Sequence, residues 1–291
     1  MEYLSAITET HRQQVTVEIR PWFADHSFAG QVILPAVESM AILALSAKGF
    51  RPELPVIAMK NGRFDKFLAI DPQQGSLTAF VELAEYANGD IGATLFTKTH
   101  LASMARVKAH GSITFAGGLT PPGAGRPIGE EELQGPPFIV SAESIYRELV
   151  PFGPAYRNIT GTLRLSAEGG QTMVQAPELT GANQGAALLG SPFPLDAAFH
   201  AACAWSQRYQ GVVAFPVGFA EREIRQATRP GGRYAVYCKA AGRAGELLLF
   251  DLEIREAGGT LCERVSGLRM RDVSGGRLKP PDWIRAGLPG N

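Results

Sequence analysis

The chain has 291 residues, of which 45% are hydrophobic and 19% charged, and its 28 lysines and arginines balance its 28 aspartates and glutamates. This composition is typical of a globular protein, and the lack of long basic runs in the sequence speaks against a nucleic-acid or membrane-surface partner. The sequence also has three widely spaced cysteines (Cys203, Cys238 and Cys262), no apolar leader segment and no apolar run near the ~18 residues of a membrane span, so we expect a cytoplasmic protein.

The first half of the chain predicts strands around one buried helix. Alternating apolar and polar residues indicate a strand at 14–20, and the almost wholly apolar segment 36–47, with Pro35 in its first turn, indicates a buried helix. Further strands are predicted at 56–70 (with a break), 77–86, 92–100 and 105–115. Residues 116–138 hold six glycines and five prolines without a hydrophobic period, which indicates a linker.

The same order of elements follows the linker. A short helix capped by Ser141 is predicted at 141–149, and a second apolar helix at 196–208. The remaining strands are predicted at 158–166, 171–176, 213–225, 233–240, 247–256 and 261–272, and the tail at 276–291 is predicted to be loose. An apolar helix followed by a long meander indicates a curled sheet wrapped around that helix. The sequence therefore predicts an α+β fold of two tandem units, 1–115 and 139–275.

Two ionisable side chains stand at corresponding places in the two predicted units. His26 precedes the first buried helix, and Asp196 lies at the start of the second. If the two helix N-termini approach each other across a pseudo-twofold axis, an imidazole and a carboxyl share one cleft, and such a pair suits proton shuttling. Considered singly, His26 would be a packed core or loop histidine and Asp196 a helix N-cap.

Four short motifs, in order along the chain, carry a family resemblance. "HSFAGQVILP" fits HxxxGxxxxP, "LDAAFH" fits DxxxQ/H, "PFGPAYRNI" is similar to YGPxF, and "FPVGF" is similar to an LPxx segment. The residues at the motif positions are His26, Gly30, Pro35, Asp196, His200, Gly153, Pro154 and Tyr156. Together these motifs resemble the dehydratase domain of modular polyketide synthases, and the resemblance covers about 15–273. It implies a double hot-dog fold, in which each of two tandem units is a curled antiparallel sheet around a central helix.

The resemblance implies a hydro-lyase that removes water from a 3-hydroxyacyl thioester on the phosphopantetheine arm of an acyl carrier protein. His26 is implied as the base that takes the α-proton, and Asp196 as the acid that protonates the leaving hydroxyl. Gly30 would let backbone amides approach and polarise the thioester carbonyl. His200, one turn beyond Asp196, would orient that carboxyl or touch the substrate hydroxyl. No metal or cofactor is implied, and a homodimer is expected from the family.

This chemistry needs a neutral histidine together with a neutral aspartate. Unperturbed aspartate and histidine titrate near ~3.9 and ~6.5, and apolar burial favours the neutral form of both, although a close pair would favour the ion pair. The family commonly has tyrosine where this chain has Phe152, so one hydrogen-bond donor is missing. Tyr156 stands where phenylalanine is usual, and we interpret it as a packing exchange.

Other functions are compatible with the same sequence. The His/Asp pair also occurs in product-template domains, which cyclise poly-β-keto chains, and a double-bond isomerase is a close variant. A non-catalytic acyl-binding module is a further alternative, which Phe152 alone favours. His110 shows no ligand spacing and is predicted on the surface or on a strand, and Arg157 and Arg222 are candidates for contact with an acidic carrier protein.

Overall fold

The computed structural model describes residues 6–28, 30–101, 104–118, 128, 136–179 and 184–287. Most of the predicted linker, at 119–127 and 129–135, lies outside the described residues. The last strand before the linker ends at Phe115, and the first strand after it begins at Phe138. The division into units 1–115 and 139–275 stays a prediction.

The first half of the chain packs long strands around one helix. Its strands are β1 (Ile7–Glu18), β2 (Ser27–Phe28), β3 (Gln31–Val32), β4 (Ala58–Arg63), β5 (Ser76–Tyr86), β6 (Ile91–Leu101) and β7 (Met104–Phe115). The helix is α1 (Ala36–Phe50), where Leu43, Ala44 and Ala47 are fully buried, so the predicted buried helix is confirmed. In the middle of β5, every second side chain is buried on the side of the sheet that faces α1, because side chains alternate between the two faces of a strand.

The second half of the chain has the same layout. Its strands are β8 (Phe138–Ser141), β9 (Ile159–Ser166), β10 (Gly169–Gln175), β11 (Phe215–Gly218), β12 (Glu221–Ile224), β13 (Arg233–Ala244), β14 (Leu247–Glu256) and β15 (Leu261–Arg271). Its helices are α2 (Ala142–Ser144), α3 (Gln184–Leu189), α4 (Phe193–Gln210) and α5 (Asp282–Arg285). The sheet curls around α4, whose residues from Phe193 to Arg208 are all buried. None of the described helices is long and apolar enough to cross a membrane.

The two halves share one continuous sheet. Within the described residues, thirteen strands form this sheet, and β4 of the first half pairs antiparallel with β11 and β12 of the second. Arg63 lies opposite Gly218, and Met59 lies opposite Arg222. On either side of this junction, the N-terminal ends of the two central helices, α1 and α4, line the same pocket.

Several boundaries differ from the sequence prediction. The strand predicted at 56–70 ends at Arg63, because the following residues leave the sheet and pair beside β3: the Leu34 amide donates to the Leu68 carbonyl at 2.8 Å, and the Ile70 amide to the Val32 carbonyl at 3.0 Å. The helix predicted at 141–149 begins as expected, with the Ser141 hydroxyl accepting from the Ser144 amide, but continues as one π-helical turn, Ile145–Leu149.

The tail is not loose over its described part, so that prediction is wrong. Helix α5 packs on α4, and Ile284 is fully buried. The Arg208 guanidinium donates to the Ile284 carbonyl at 2.7 Å, and the Trp283 indole donates to the Glu148 carboxylate at 2.6 Å. Within the polar, proline-rich sequence around α5, Ile284 is the residue that becomes fully buried beside α4.

Candidate active site

A pocket lies between the two halves, and the central helix of each half contributes to its wall. Ala36 and Ser39 of α1 line one side, and Phe199 and Cys203 of α4 line the other. His26, Phe152, Asp196 and His200 also line it, so four of the candidate residues meet in one space. Most of the remaining lining is apolar, and surroundings of low polarity strengthen electrostatic interactions within the pocket.

His26 is held by backbone on both sides. It follows a 3₁₀ turn, Pro21–Asp25, and its own amide donates to the Phe23 carbonyl at 3.0 Å. Its Nδ1 lies 3.1 Å from the carbonyl oxygen of Ile33. Because a carbonyl oxygen can only accept, Nδ1 carries the proton, and the neutral ring keeps its lone pair on Nε2.

Burial sets the charge of His26. The side chain is 8% exposed, and this desolvation lowers its pKa below the usual 6.5, although the nearby Asp196 carboxylate opposes the shift. His200 lowers the pKa further when it is charged, while the Ile33 carbonyl opposes it. The balance leaves His26 neutral near pH 7.

Asp196 lies in the first turn of α4 and is not its N-cap. The helix begins three residues earlier than predicted, with Pro192 in the N-cap position, and the Asp196 amide already donates to the Pro192 carbonyl at 3.2 Å. The side chain is therefore free of the capping role and is buried, at 4% exposure. Its Oδ2 lies 3.0 Å from Nε2 of His200, one turn along the helix, without the alignment of a hydrogen bond.

Phe152 and Tyr156 pack against the imidazole of His26. The Phe152 ring centroid lies 4.4 Å from that of His26 and 5.2 Å from that of His200, so this ring contacts both histidines. The Tyr156 centroid lies 5.0 Å from that of His26. The Tyr156 hydroxyl is fully buried and has no hydrogen-bond partner among the described residues, a feature that a packing exchange alone does not predict.

Gly153 and Pro154 hold the loop that carries these two rings. The Gly153 amide donates to the Asp25 carbonyl at 2.8 Å, and the Ala155 amide donates to Asp25 Oδ2 at 2.8 Å. A Cβ on Gly153 would stand 2.2 Å from Asp25 Oδ1, so only glycine allows this approach. Neither Gly153 nor Pro154 lines the pocket, and Gly153 attaches the loop to Asp25, the residue before His26.

Gly30 and Pro35 frame the motif segment without lining the pocket. Gly30 has φ +76°, a left-handed conformation in the turn between β2 and β3, which glycine adopts without strain. A Cβ added there would meet nothing within 4 Å. The need for glycine at this position therefore comes from its backbone angle and not from the close approach of another atom. Pro35 is the N-cap of α1, and its carbonyl accepts from the amides of Glu38 and Ser39. Polarisation of a thioester carbonyl near Gly30 stays a prediction.

Sequence reasoning missed three residues around the pocket. His110, predicted on the surface or a strand, lies on β7 but is buried and lines the pocket; its Nε2 is 2.8 Å from the Thr97 hydroxyl, and burial lowers its pKa. Asp25 anchors the Phe152 loop. Tyr146, in the π turn, lies with its hydroxyl 3.4 Å from Nδ1 of His200. No motif spacing signals any of the three, since their partners are distant in sequence.

Comparison with known proteins places this chain in a family. A family model described as "Polyketide synthase dehydratase N-terminal domain" matches residues 132–280, just over half of the chain. The chain belongs to the polyketide synthase dehydratase family. Dehydratase domains of polyketide synthases are hydro-lyases that dehydrate hydroxyacyl intermediates tethered to acyl carrier protein. A search of curated proteins found no match.

Solved dehydratase structures share the fold of most of the chain. The dehydratase domain from the CurF module of curacin polyketide synthase has a TM-score of 0.71 at 17% identity, over 92% of this chain and 96% of that one. The dehydratase domain of a mycocerosic acid synthase-like polyketide synthase has 0.68 at 18%, over 91% and 92%. A bifunctional dehydratase-cyclase domain in ambruticin biosynthesis has 0.65 at 20%, over 90% and 91%. The predicted α+β double hot-dog fold is thereby confirmed.

Proposed function

We propose that this protein removes water from a 3-hydroxyacyl thioester carried by an acyl carrier protein and forms the α,β-unsaturated thioester. The observation that carries the proposal is one largely apolar pocket that holds a neutral, oriented imidazole and a buried carboxyl from opposite halves of the chain. Two similar solved dehydratases, from the CurJ and CurK modules, are histidine-to-phenylalanine variants described as inactive. That description supports a required histidine in those enzymes.

His26 supplies the base in this proposal. Its Nδ1–H is engaged by the Ile33 carbonyl, which leaves Nε2 with a lone pair to take the α-proton of the acyl chain. The low pKa of the buried ring keeps it unprotonated at neutral pH, and Phe152 and Tyr156 fix the ring plane. Proton abstraction next to a thioester then converts His26 to its imidazolium form.

Asp196 supplies the acid. The carboxyl lines the same pocket as His26, in the first turn of α4 and within a largely apolar wall. It delivers its proton to the 3-hydroxyl as the C–O bond breaks, so that water leaves and Asp196 becomes the carboxylate. The protein then carries one positive and one negative side chain, and proton exchange with water resets both.

The test is mass-spectrometric turnover of a 3-hydroxyacyl thioester, offered as both epimers on carrier protein, by the wild type, His26→Ala and Asp196→Asn. We expect the wild type to dehydrate one epimer and each variant to fall by a hundredfold or more, as expected for the loss of a general base or acid. Tyr234→Phe, which changes a buried phenol on β13, serves as a control for handling and stability.

Other outcomes assign the pocket differently. Turnover of a poly-β-keto thioester with no loss of water from either 3-hydroxy epimer would support the cyclase alternative. Binding of acyl chains without turnover of any of these substrates would support the non-catalytic module. Equal activity of His26→Ala and the wild type would overturn the assignment of the base.

A further inference from the structure

Tyr146 does not line the pocket, yet its hydroxyl touches His200, which does. We propose that Tyr146 is a positioning residue: through His200, it determines which oxygen of Asp196 holds the acid proton. The inference rests on the proposed function, since it concerns the proton that Asp196 delivers. It adds a residue that no sequence motif indicates.

The direction of hydrogen bonding at Tyr146 is set by backbone. The Ile159 amide donates to the Tyr146 hydroxyl oxygen at 2.8 Å, so one lone pair of this oxygen is occupied. The phenol is 5% exposed and burial raises its pKa, so it keeps its own proton at neutral pH. That proton needs an acceptor, and Nδ1 of His200 lies 3.4 Å away.

The tautomer of His200 follows from this contact. If Nδ1 accepts from Tyr146, the neutral ring carries its single proton on Nε2. Nε2 is the atom that faces Asp196, at 3.0 Å from Oδ2. Although this contact lacks the alignment of a hydrogen bond, at 3.0 Å an Nε2–H disfavours a second proton on Oδ2, because the two hydrogens would crowd the same gap. The acid proton is therefore left to Oδ1.

The reverse tautomer would have a different consequence. With its proton on Nδ1, His200 would present a lone pair to Oδ2 and would accept the acid proton of Asp196 in a hydrogen bond. The proton would then be held against His200 instead of being available to the substrate hydroxyl. Tyr146 disfavours this arrangement, because an Nδ1–H of His200 would point at the hydroxyl proton of Tyr146.

The two pocket histidines are thus expected to be opposite tautomers. His26 carries its proton on Nδ1, which faces the Ile33 carbonyl, and His200 carries its proton on Nε2. The chain has five histidines, so the ring nitrogens of a ¹⁵N-histidine-labelled sample can be resolved by NMR. The signals of His200 are identified by their loss in His200→Gln.

The first experiment is the ¹⁵N NMR spectrum of the wild type, Tyr146→Phe and Tyr234→Phe near pH 7. We expect an Nε2–H tautomer for His200 in the wild type and a mixture of tautomers in Tyr146→Phe. Tyr234 is a matched control, because its buried hydroxyl also accepts a backbone amide, that of Arg229 at 2.7 Å, and it contacts no histidine ring among the described residues. An Nδ1–H tautomer in the wild type, or an unchanged tautomer in Tyr146→Phe, would overturn the proposal.

Kinetics separate positioning from general stability. In Tyr146→Phe we expect kcat to fall about tenfold, less than on loss of the acid itself, with KM within about twofold of the wild type. In a His200→Gln background, which has no tautomer to set, Tyr146→Phe should change kcat less than twofold. An equal fall in both backgrounds would show that Tyr146 acts only on the fold. A wild type inert to hydroxyacyl thioesters would overturn the proposed function, whereas the NMR result decides the tautomer independently.

Discussion

At the scale of single residues, the pocket gives one histidine a fixed charge and a fixed tautomer. Desolvation lowers the pKa of His26, and the Ile33 carbonyl commits Nδ1 to donation. An exposed histidine has neither property, since it titrates near ~6.5 and exchanges between tautomers. The apolar residues around His26 are therefore part of its chemistry as well as its packing.

This environment predicts the pH dependence of the reaction. Because the pKa of His26 lies below 6.5, the base stays unprotonated as the pH falls to 6.5, and kcat/KM should decline only below that value. The same shift affects stability: the unfolded chain binds a proton at His26 that the folded chain resists, so the free energy of unfolding should decrease as the pH falls below 6.5.

A pH profile of kcat/KM, together with urea unfolding at several pH values, checks both effects. His26→Gln, which has no titrating ring, should show a smaller loss of stability between pH 7 and pH 5 than the wild type. An acidic limb of kcat/KM centred above 6.5 would contradict the assignment of the low pKa to the catalytic base.

At the scale of elements, two short irregular segments place the side chains that the long strands and helices cannot. The π turn Ile145–Leu149 closes with the Val150 amide donating to the Ile145 carbonyl at 2.8 Å, and it presents Tyr146 to His200. The segment from Phe152 to Tyr156 is tied to Asp25 and lays its two rings on His26. π-Helical turns such as Ile145–Leu149 occur often at functional sites.

The attachment of the second segment can be tested with Gly153→Ala. The new Cβ would stand 2.2 Å from Asp25 Oδ1, so either the loop or Asp25 must move. We expect the free energy of unfolding to fall by about 1–3 kcal/mol and kcat/KM to fall by roughly tenfold or more, since displacement of a positioning element misplaces reacting groups.

Gly49→Ala is the matched control for this substitution. Gly49 lies near the end of α1, is exposed, and has open space where a Cβ would be added. Alanine there should leave activity unchanged and raise the free energy of unfolding by up to about 1 kcal/mol, through helix propensity. Wild-type stability and activity of Gly153→Ala in urea unfolding and turnover assays would show that the loop does not depend on this contact.

At the scale of the whole molecule, one buried ion pair lies where the two halves join. Arg222 of β12 pairs with Glu263 of β15 at 2.7 and 3.2 Å, and its guanidinium also lies 3.3 Å from the Met40 sulfur of α1. Arg222 is 4% exposed, so the sequence-based suggestion that it contacts a carrier protein is wrong. Its side chain links the part of the sheet from the second half to the helix of the first half.

We expect Arg222→Met to lower the free energy of unfolding by about 3–5 kcal/mol, because it leaves Glu263 as an uncompensated buried charge. The double variant Arg222→Met/Glu263→Leu should recover most of this loss, since hydrophobic residues of similar volume often replace a buried pair at little cost. Urea unfolding of the two single variants and the double variant measures the coupling. A cost below about 1 kcal/mol for Arg222→Met would show that Glu263 is solvated or otherwise paired.

By itself, the sequence determined the elements, the tandem order and the main candidate pair. Strand alternation and the apolar character of α1 and α4 are local patterns, set by side chains two to four residues apart, and they are readable without tertiary contacts. His26 and Asp196 were predicted because each stands in a short motif at the start of a central helix. Phe152 was noticed because the motif has tyrosine there.

Only the tertiary structure decided how these residues are oriented and what supports them. Tyr146 and His200 are 54 residues apart in sequence, and Asp25 and Ala155 are 130 apart, so no local period connects them. The burial of Ile284 likewise depends on the packing of α5 against α4, which the polar tail does not reveal. A buried polar group must find its hydrogen-bond partner wherever packing brings one, and that choice is made by the folded chain as a whole.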